Sequence, residues 1–185
     1  MSRNFSSKTP LAPTGRRSLR KLMGKRIDWL FPDTPHRDQS APPGGIMLCP
    51  SCHAIYEDKH LKYDEDRYQC LAQNPEIQQS ICEGCDRVNR EMFEGIVQLR
   101  SPFVQTHLDE ILQRIRHEEE RARQVNPVAR VGLIRQEGDK LMVWTTTGWL
   151  AKRIGREVEK AFHGVMKYHR LPGIPFVRVV WTREE

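Results

Sequence analysis

The sequence predicts an α+β fold, in which a small cysteine-containing module precedes a helix and a ββαβ unit. Three features of the chain support this prediction. Two CxxC pairs, Cys49/Cys52 and Cys82/Cys85, define a module at residues 46–100. Apolar residues at helical spacing follow at residues 103–125, and β-rich runs on either side of a second helical pattern occupy residues 128–183.

The composition favours small cores surrounded by solvated segments. The chain has 185 residues, of which 38% are hydrophobic and 29% are charged, so it is leaner in core-forming side chains than an average globular domain. It contains no apolar run of roughly 18 residues and no secretory signal pattern. We therefore expect a cytoplasmic protein that does not enter a membrane.

The four paired cysteines predict a metal site. Two residues between paired cysteines allow a tight turn to direct both thiolates at one ion, and four thiolates close the coordination sphere of zinc. We therefore expect a zinc-ribbon-like module with one structural Zn²⁺ held by the candidate ligands Cys49, Cys52, Cys82 and Cys85. The pairs are separated by 29 residues, more than the usual spacing of about 15–20. The insertion is therefore expected to form a hairpin of its own.

Three further residues of the insertion are possible ligands. Cys70 has no CxxC partner, and His53 and His60 lie nearby in sequence. One of them could replace a paired cysteine. The alternative is that Cys70 is a small apolar filler or a surface thiol and that the histidines are polar loop residues.

Strand and helix patterns follow the cysteine module. Residues 94–100 alternate Ile96 and Gln98 with Val97 and Leu99, which is typical of a half-buried strand. Residues 103–125 have apolar side chains at helical spacing, which predicts an amphipathic helix that Pro127 ends.

The last sixty residues predict two strands, a helix and a third strand. The two strands, 128–136 and 140–146, are joined by a turn at Gly138. Thr147 is a suitable cap for a helix at 149–163, and residues 176–182 alternate as a final strand. A helix packed on a small, mainly antiparallel sheet satisfies these patterns.

The N-terminal region is strongly basic. Residues 1–26 contain eight Lys or Arg residues and no acidic residue, whereas the whole chain has a net charge of +6. Such a segment, followed by a Pro/Gly-rich linker up to residue 45, predicts a flexible arm that favours polyanions. A solvated tail without a binding role is the alternative. The candidate nucleic-acid contacts of the arm are Arg16, Arg17, Arg20, Lys21, Lys25 and Arg26.

A resemblance to a known family agrees with these patterns. The pairs Cys-Pro-Ser-Cys and Cys-Glu-Gly-Cys, the following segment 94–100, and the distal segments 139–146 and 150–155 resemble the nonsense-mediated-decay-three family of large-ribosomal-subunit export adaptors. The order of the segments matches as well. The resemblance implies a short relative of that family, a zinc-ribbon protein that binds ribosomal RNA or the large ribosomal subunit, with the four paired cysteines as ligands.

These observations predict a zinc protein that binds RNA and is not an enzyme, since the sequence contains no Walker or Rossmann glycine loop and no hydrolase or metalloprotease motif. A second set of basic candidates lies on the last helix, where a merely solvated face is the alternative. A protein–protein adaptor that does not touch nucleic acid is the alternative function, and salt-dependent RNA binding distinguishes the two. The candidate contacts on the helix are Lys152, Arg153, Arg156 and Lys160.

Overall fold

The computed structural model describes residues 45–58, 60–170 and 173–184. The predicted basic arm lies outside the described residues, together with its candidate contacts Arg16, Arg17, Arg20, Lys21, Lys25 and Arg26.

The cysteine module contains a small four-stranded sheet and two short helices. Its strands lie in the order β3-β2-β1-β4, with β1 parallel to β4 and the other neighbours antiparallel. The long insertion forms the predicted hairpin, β2–β3, and also a helix, α1, whose Tyr68 packs on Leu48 and Ile55. Asp64 caps α1 by accepting a hydrogen bond from the backbone N–H of Arg67. The elements are β1 Met47–Leu48, β2 Ala54–Glu57, β3 His60–Tyr63, α1 Glu65–Ala72, β4 Gln78–Gln79 and α2 Glu83–Asn89.

The second unit is a five-stranded sheet with helices on one face. Its strand order is β6-β7-β5-β9-β8; β5 runs parallel to β9, and the other neighbours are antiparallel. The described structure is thus α+β, as the sequence predicts. The elements are β5 Gly95–Arg100, α3 Phe103–Thr106, α4 Leu108–Val125, β6 Val131–Glu137, β7 Lys140–Thr145, α5 Gly148–Phe162, β8 Val165–Arg170 and β9 Val177–Thr182.

The main core lies between this sheet and the helices α4 and α5. Val97, Val143 and Val179 line the covered face of the sheet and are fully buried. Ile111 and Ile154, from the two helices, pack against them. Neither of these helices, nor any other in the described ranges, is long and apolar enough to cross a membrane.

The second unit differs from the predicted pattern in three places. The predicted helix at 103–125 is divided into α3 and α4, because His107 leaves helical geometry between them. The sheet also has two strands more than the predicted ββαβ unit. One is β8, which precedes β9. The other is β5, which the sequence assigned to the cysteine module at 46–100 but which is the central strand of this sheet, between β7 and β9. β8 lies at the sheet edge and most of its side chains are exposed, so its sequence lacks the apolar alternation that identifies a half-buried strand.

Candidate metal centre

The four paired cysteines meet at one point of the cysteine module. Their Sγ atoms all lie within 4.8 Å of one another. The Sγ atoms of Cys49 and Cys85 are 3.9 Å apart, and those of Cys52 and Cys82 are 3.5 Å apart. Four sulfurs placed at about 2.3 Å from a zinc ion at tetrahedral corners would be about 3.8 Å apart. The thiol cluster therefore has the dimensions of a four-sulfur metal site, and it could hold one ion.

The first CxxC pair lies in the tight turn between β1 and β2. The backbone N–H of Cys49 donates to the carbonyl of Ala54, and the N–H of His53 donates to the carbonyl of Cys49, both at 2.9 Å. His53 completes the turn with a φ of 59°. This conformation directs the thiols of Cys49 and Cys52 to the same side of the turn.

The second CxxC pair begins a helix. Cys82 occupies the N-cap position of α2, and Cys85 lies in its first turn and is buried. The backbone N–H of Cys82 also donates to the Cys49 sulfur at 3.3 Å. A hairpin turn therefore supplies one pair of thiols and a helix start supplies the other, which differs from a ribbon in which both pairs lie in hairpin turns.

Hydrogen bonds among the thiols distribute charge unevenly over the cluster. Hydrogen bonds from Cys49, Cys82 and Cys85 lower the pKa of the Cys52 thiol. Contact with Cys52 raises the pKa of Cys49, but hydrogen bonds from Cys82 and Cys85 together outweigh it and bring this pKa to about 6. Hydrogen bonds with Cys49 and Cys52 raise the pKa of Cys82 and of Cys85. Thiols must lose their protons to bind a metal, so affinity for the ion must fall as pH falls.

Two arginines of the second unit approach the cluster. Arg130 is 5% exposed, and its Nη2 lies 3.5 Å from the Cys52 sulfur and also contacts the Tyr63 hydroxyl. Arg123 stacks over the Tyr63 ring at 4.6 Å and donates to the Cys52 carbonyl. Four thiolates around a divalent ion would carry a net charge of −2, which the two guanidinium groups would balance.

The close approach of Arg130 depends on a glycine between the second pair of cysteines. A Cβ atom at Gly84 would lie 2.9 Å from the carbonyl oxygen of Pro127 and 3.3 Å from Cζ of Arg130. Both separations are tighter than an ordinary van der Waals contact. The Cys-Glu-Gly-Cys sequence therefore allows α2 to pack directly on the segment that precedes β6.

The other possible ligands lie outside the cluster. Cys70 is exposed. His53 stacks on Tyr68 and contacts the carboxylate of Glu65 through Nδ1. Neither residue, nor His60, belongs to the group of potential ligands found among the described residues.

The candidate nucleic-acid contacts of the last helix lie on α5 in two different settings. Lys152, Arg156 and Lys160 are four residues apart and so share one side of the helix, where Arg156 and Lys160 are exposed. Lys152 extends over the ring of Tyr168, with Nζ 4.7 Å from its centroid. Arg153 instead forms an ion pair with the buried carboxylate of Glu118 on α4.

We expect Arg153→Ala to lower stability. Glu118 is 2% exposed, and without Arg153 its remaining cationic partner is Arg121 at 3.9 Å. Loss of a hydrogen bond to a charged group costs about 1.5–3 kcal/mol. Urea denaturation followed by circular dichroism should show this loss, whereas Arg156→Ala, at an exposed position of the same helix, should leave the midpoint within experimental error. Equal midpoints for the two variants would contradict a structural role for the pair.

Comparisons with protein-family models, with curated proteins and with solved structures found no match for this chain.

Proposed function

We propose that this protein binds RNA and that its cysteine cluster holds one structural zinc ion. The geometry of the cluster carries this proposal: four Sγ atoms lie within 4.8 Å of one another, with pair separations of 3.5 and 3.9 Å. Four thiolates favour zinc over hard cations such as Mg²⁺ or Ca²⁺. They also leave no open position for water or substrate. The ion would therefore stabilise the cysteine module and would not act as a catalyst.

The proposed RNA is ribosomal RNA or a surface of the large ribosomal subunit. Three observations support RNA as the ligand: the net charge of +6, the eight basic residues in the first 26 positions, and the exposed Arg156 and Lys160 on α5. Positive charges gain affinity for nucleic acid by releasing the counterions that phosphates hold. The resemblance to ribosome export adaptors supports the ribosomal assignment.

The basic arm should contribute strongly to RNA binding. We expect replacement of residues 1–26 by an uncharged Gly/Ser segment of equal length to weaken binding and to reduce the salt dependence. The slope of log affinity against log salt should become shallower by about 0.7–0.9 for each phosphate that the arm no longer neutralises. Fluorescence anisotropy with a labelled ribosomal RNA fragment over a series of salt concentrations measures both quantities.

Two results distinguish the arm from the rest of the protein. Exchange of Arg16, Arg17 and Arg20 for Lys keeps the charge, so it should change affinity little if the arm contacts only the backbone. If affinity and salt slope were unchanged after the Gly/Ser replacement, the arm would not contact the RNA. Absence of salt-dependent RNA binding by the full chain would contradict the proposed function itself.

A protein–protein adaptor is the second candidate function. Tyr168 and Val165 on β8 are 50% and 54% exposed, and Trp149 at the start of α5 is 39% exposed. Exposed aromatic and aliphatic side chains of this kind occur at protein interfaces. Crosslinking in the cells that make the protein tests this alternative. A protein partner that is recovered and stays bound at high salt would favour the adaptor over RNA binding.

A further inference from the structure

The second sheet has a face that no described helix covers. Helices α4 and α5 cover one face, and the strand register directs alternate side chains of all five strands to the other, here called the open face. Across β6, β7, β5, β9 and β8, the register places three rows of side chains on the open face. The middle row contains Arg135, Gln98 and Lys167. Trp144 and Arg178 lie in the row on one side of it, and Arg100 lies in the row on the other side.

The open face is strongly basic. Five of its side chains are Lys or Arg and one is acidic, Glu137 at the end of β6. The five basic residues are Arg100, Arg135, Lys140, Lys167 and Arg178. Within the described ranges, none of their side chains forms an ion pair. Positive charges of this density repel one another unless an anion lies among them.

Two guanidinium groups converge at the centre of the open face. Arg178 donates through Nε and Nη2 to the amide oxygen of Gln98, at 3.0 and 2.7 Å, and Arg100 donates through Nη2 to the same oxygen at 3.0 Å. One neutral oxygen thus orients two like charges. Burial and the positive charge of Arg100 lower the pKa of Arg178. The arrangement costs electrostatic energy in the free protein, and it leaves most N–H donors of both groups available.

We propose that the open face binds the sugar-phosphate backbone of RNA, with one phosphate held between Arg100 and Arg178. This inference rests on the proposed RNA-binding function and identifies a binding surface for it. A phosphate has the charge and the geometry to accept paired N–H donors from two guanidinium groups. Arg135 and Lys167 lie on the two edge strands, in the row of Gln98, and are placed to contact phosphates before and after the central one.

The apolar side chains of the open face indicate that the contact is with the backbone and not with the bases. Trp144 is 9% exposed, and it packs with Phe93, Ile96 and Phe176 at one end of the face. Its ring is therefore not available as a platform for an unstacked base, which is the usual way to read single-stranded RNA. Binding at the open face should accordingly depend on charge and be independent of sequence.

The test uses the full chain with Arg100→Gln and Arg178→Gln combined. We expect the double variant to bind labelled oligouridylate and oligoadenylate of equal length at least about tenfold more weakly, by a similar factor for both, because it loses charged hydrogen bonds to a phosphate. The salt slope should become shallower by about 0.7–0.9 for each phosphate that the variant no longer neutralises. Thermal unfolding should occur at the same temperature or higher, because the substitutions remove a like-charge repulsion.

The matched control is Arg114→Gln with Arg116→Gln. Both residues are exposed on α4, so this variant loses the same net charge away from the open face, and its affinity and slope should stay close to those of the unmodified protein. Equal losses of RNA affinity in the two double variants would mean that net charge alone causes the effect, and they would overturn the inference. RNA binding that is unaffected by Arg100→Gln/Arg178→Gln would overturn it too, while the RNA-binding function itself would stand.

A segment of the chain itself is the competing occupant. Residues 27–38 contain three Asp residues and the apolar run Trp29-Leu30-Phe31, which also suit a basic face. If RNA contacts the open face, deletion of residues 27–38 should leave the effect of Arg100→Gln/Arg178→Gln on affinity intact. If deletion of residues 27–38 abolished the effect of Arg100→Gln/Arg178→Gln on RNA affinity, the open face would bind this segment of the chain, and the inference would be overturned.

Discussion

Replacement of Cys82 by Ser should reduce the zinc content of the purified protein from one ion per chain to essentially none. Cys82 is buried, contacts the Cys52 sulfur and begins α2, so the loss of its thiolate opens the coordination sphere and removes the link between hairpin and helix. Structural zinc contributes about 10–16 kcal/mol to the folding of small zinc fingers, which is comparable to the whole net stability of about 5–15 kcal/mol of a typical domain. The cysteine module should therefore unfold.

Cys70→Ser provides a matched control, because it makes the same chemical change at an exposed cysteine outside the cluster. Zinc content measured by inductively coupled plasma mass spectrometry should stay at one per chain in this variant. Amide hydrogen exchange should show loss of protection in β1, β2 and α2 for Cys82→Ser alone. Full zinc content in Cys82→Ser, or zinc loss in Cys70→Ser, would contradict a four-cysteine centre.

Arg130→Ala should weaken metal binding although Arg130 is not a ligand. Its guanidinium contacts both the Cys52 sulfur and the Tyr63 hydroxyl from a buried position. Loss of a charge that balances the thiolates should reduce zinc affinity by about 10–100-fold, and removal of one partner from a buried ionic contact should cost about 3–5 kcal/mol of stability. Competition with a chromophoric chelator measures the affinity, and denaturant unfolding of the zinc-loaded protein measures the stability.

The comparison for Arg130→Ala is Arg116→Ala, which removes an exposed arginine of α4 that, within the described ranges, forms no hydrogen bond or ring contact with Cys52 or Tyr63. Arg116→Ala should match the unmodified protein in both measurements. Arg130→Lys keeps the charge but loses the planar pair of donors, so its affinity should fall between the two. If Arg130→Ala bound zinc as tightly as the unmodified protein, the guanidinium would have no electrostatic role at the centre.

The cysteine positions could be predicted because their signal is local. Two residues between paired thiols constrain a turn whatever surrounds it, so Cys49, Cys52, Cys82 and Cys85 were identifiable from spacing alone. The same spacing does not distinguish a hairpin turn from the first turn of a helix. For this reason the helical start at Cys82 followed only from the structure.

The surroundings of the centre could not be predicted in this way, because they depend on tertiary contacts. Arg130 is 78 positions from Cys52 in the sequence, and it lies at the start of a strand predicted at 128–136, where no motif connects it with the cysteines. The pairing of Arg153 with Glu118 across 35 positions is equally hidden. In the same way, the basic open face requires the register of all five strands, since its arginines and lysines are scattered between residues 100 and 178.

The parallel pairing of β5 with β9 has a consequence for the order of folding. β5 lies at the centre of its sheet, yet its neighbour β9 follows roughly eighty residues later in the sequence. During synthesis β5 and β7 are available first, and one edge of β5 stays unpaired until β9 emerges. Closing such a long loop is slow compared with forming a hairpin. Because β9 carries Arg178, the paired arginines assemble only at this last step, so on our proposal a nascent or misfolded chain could not retain RNA at this face.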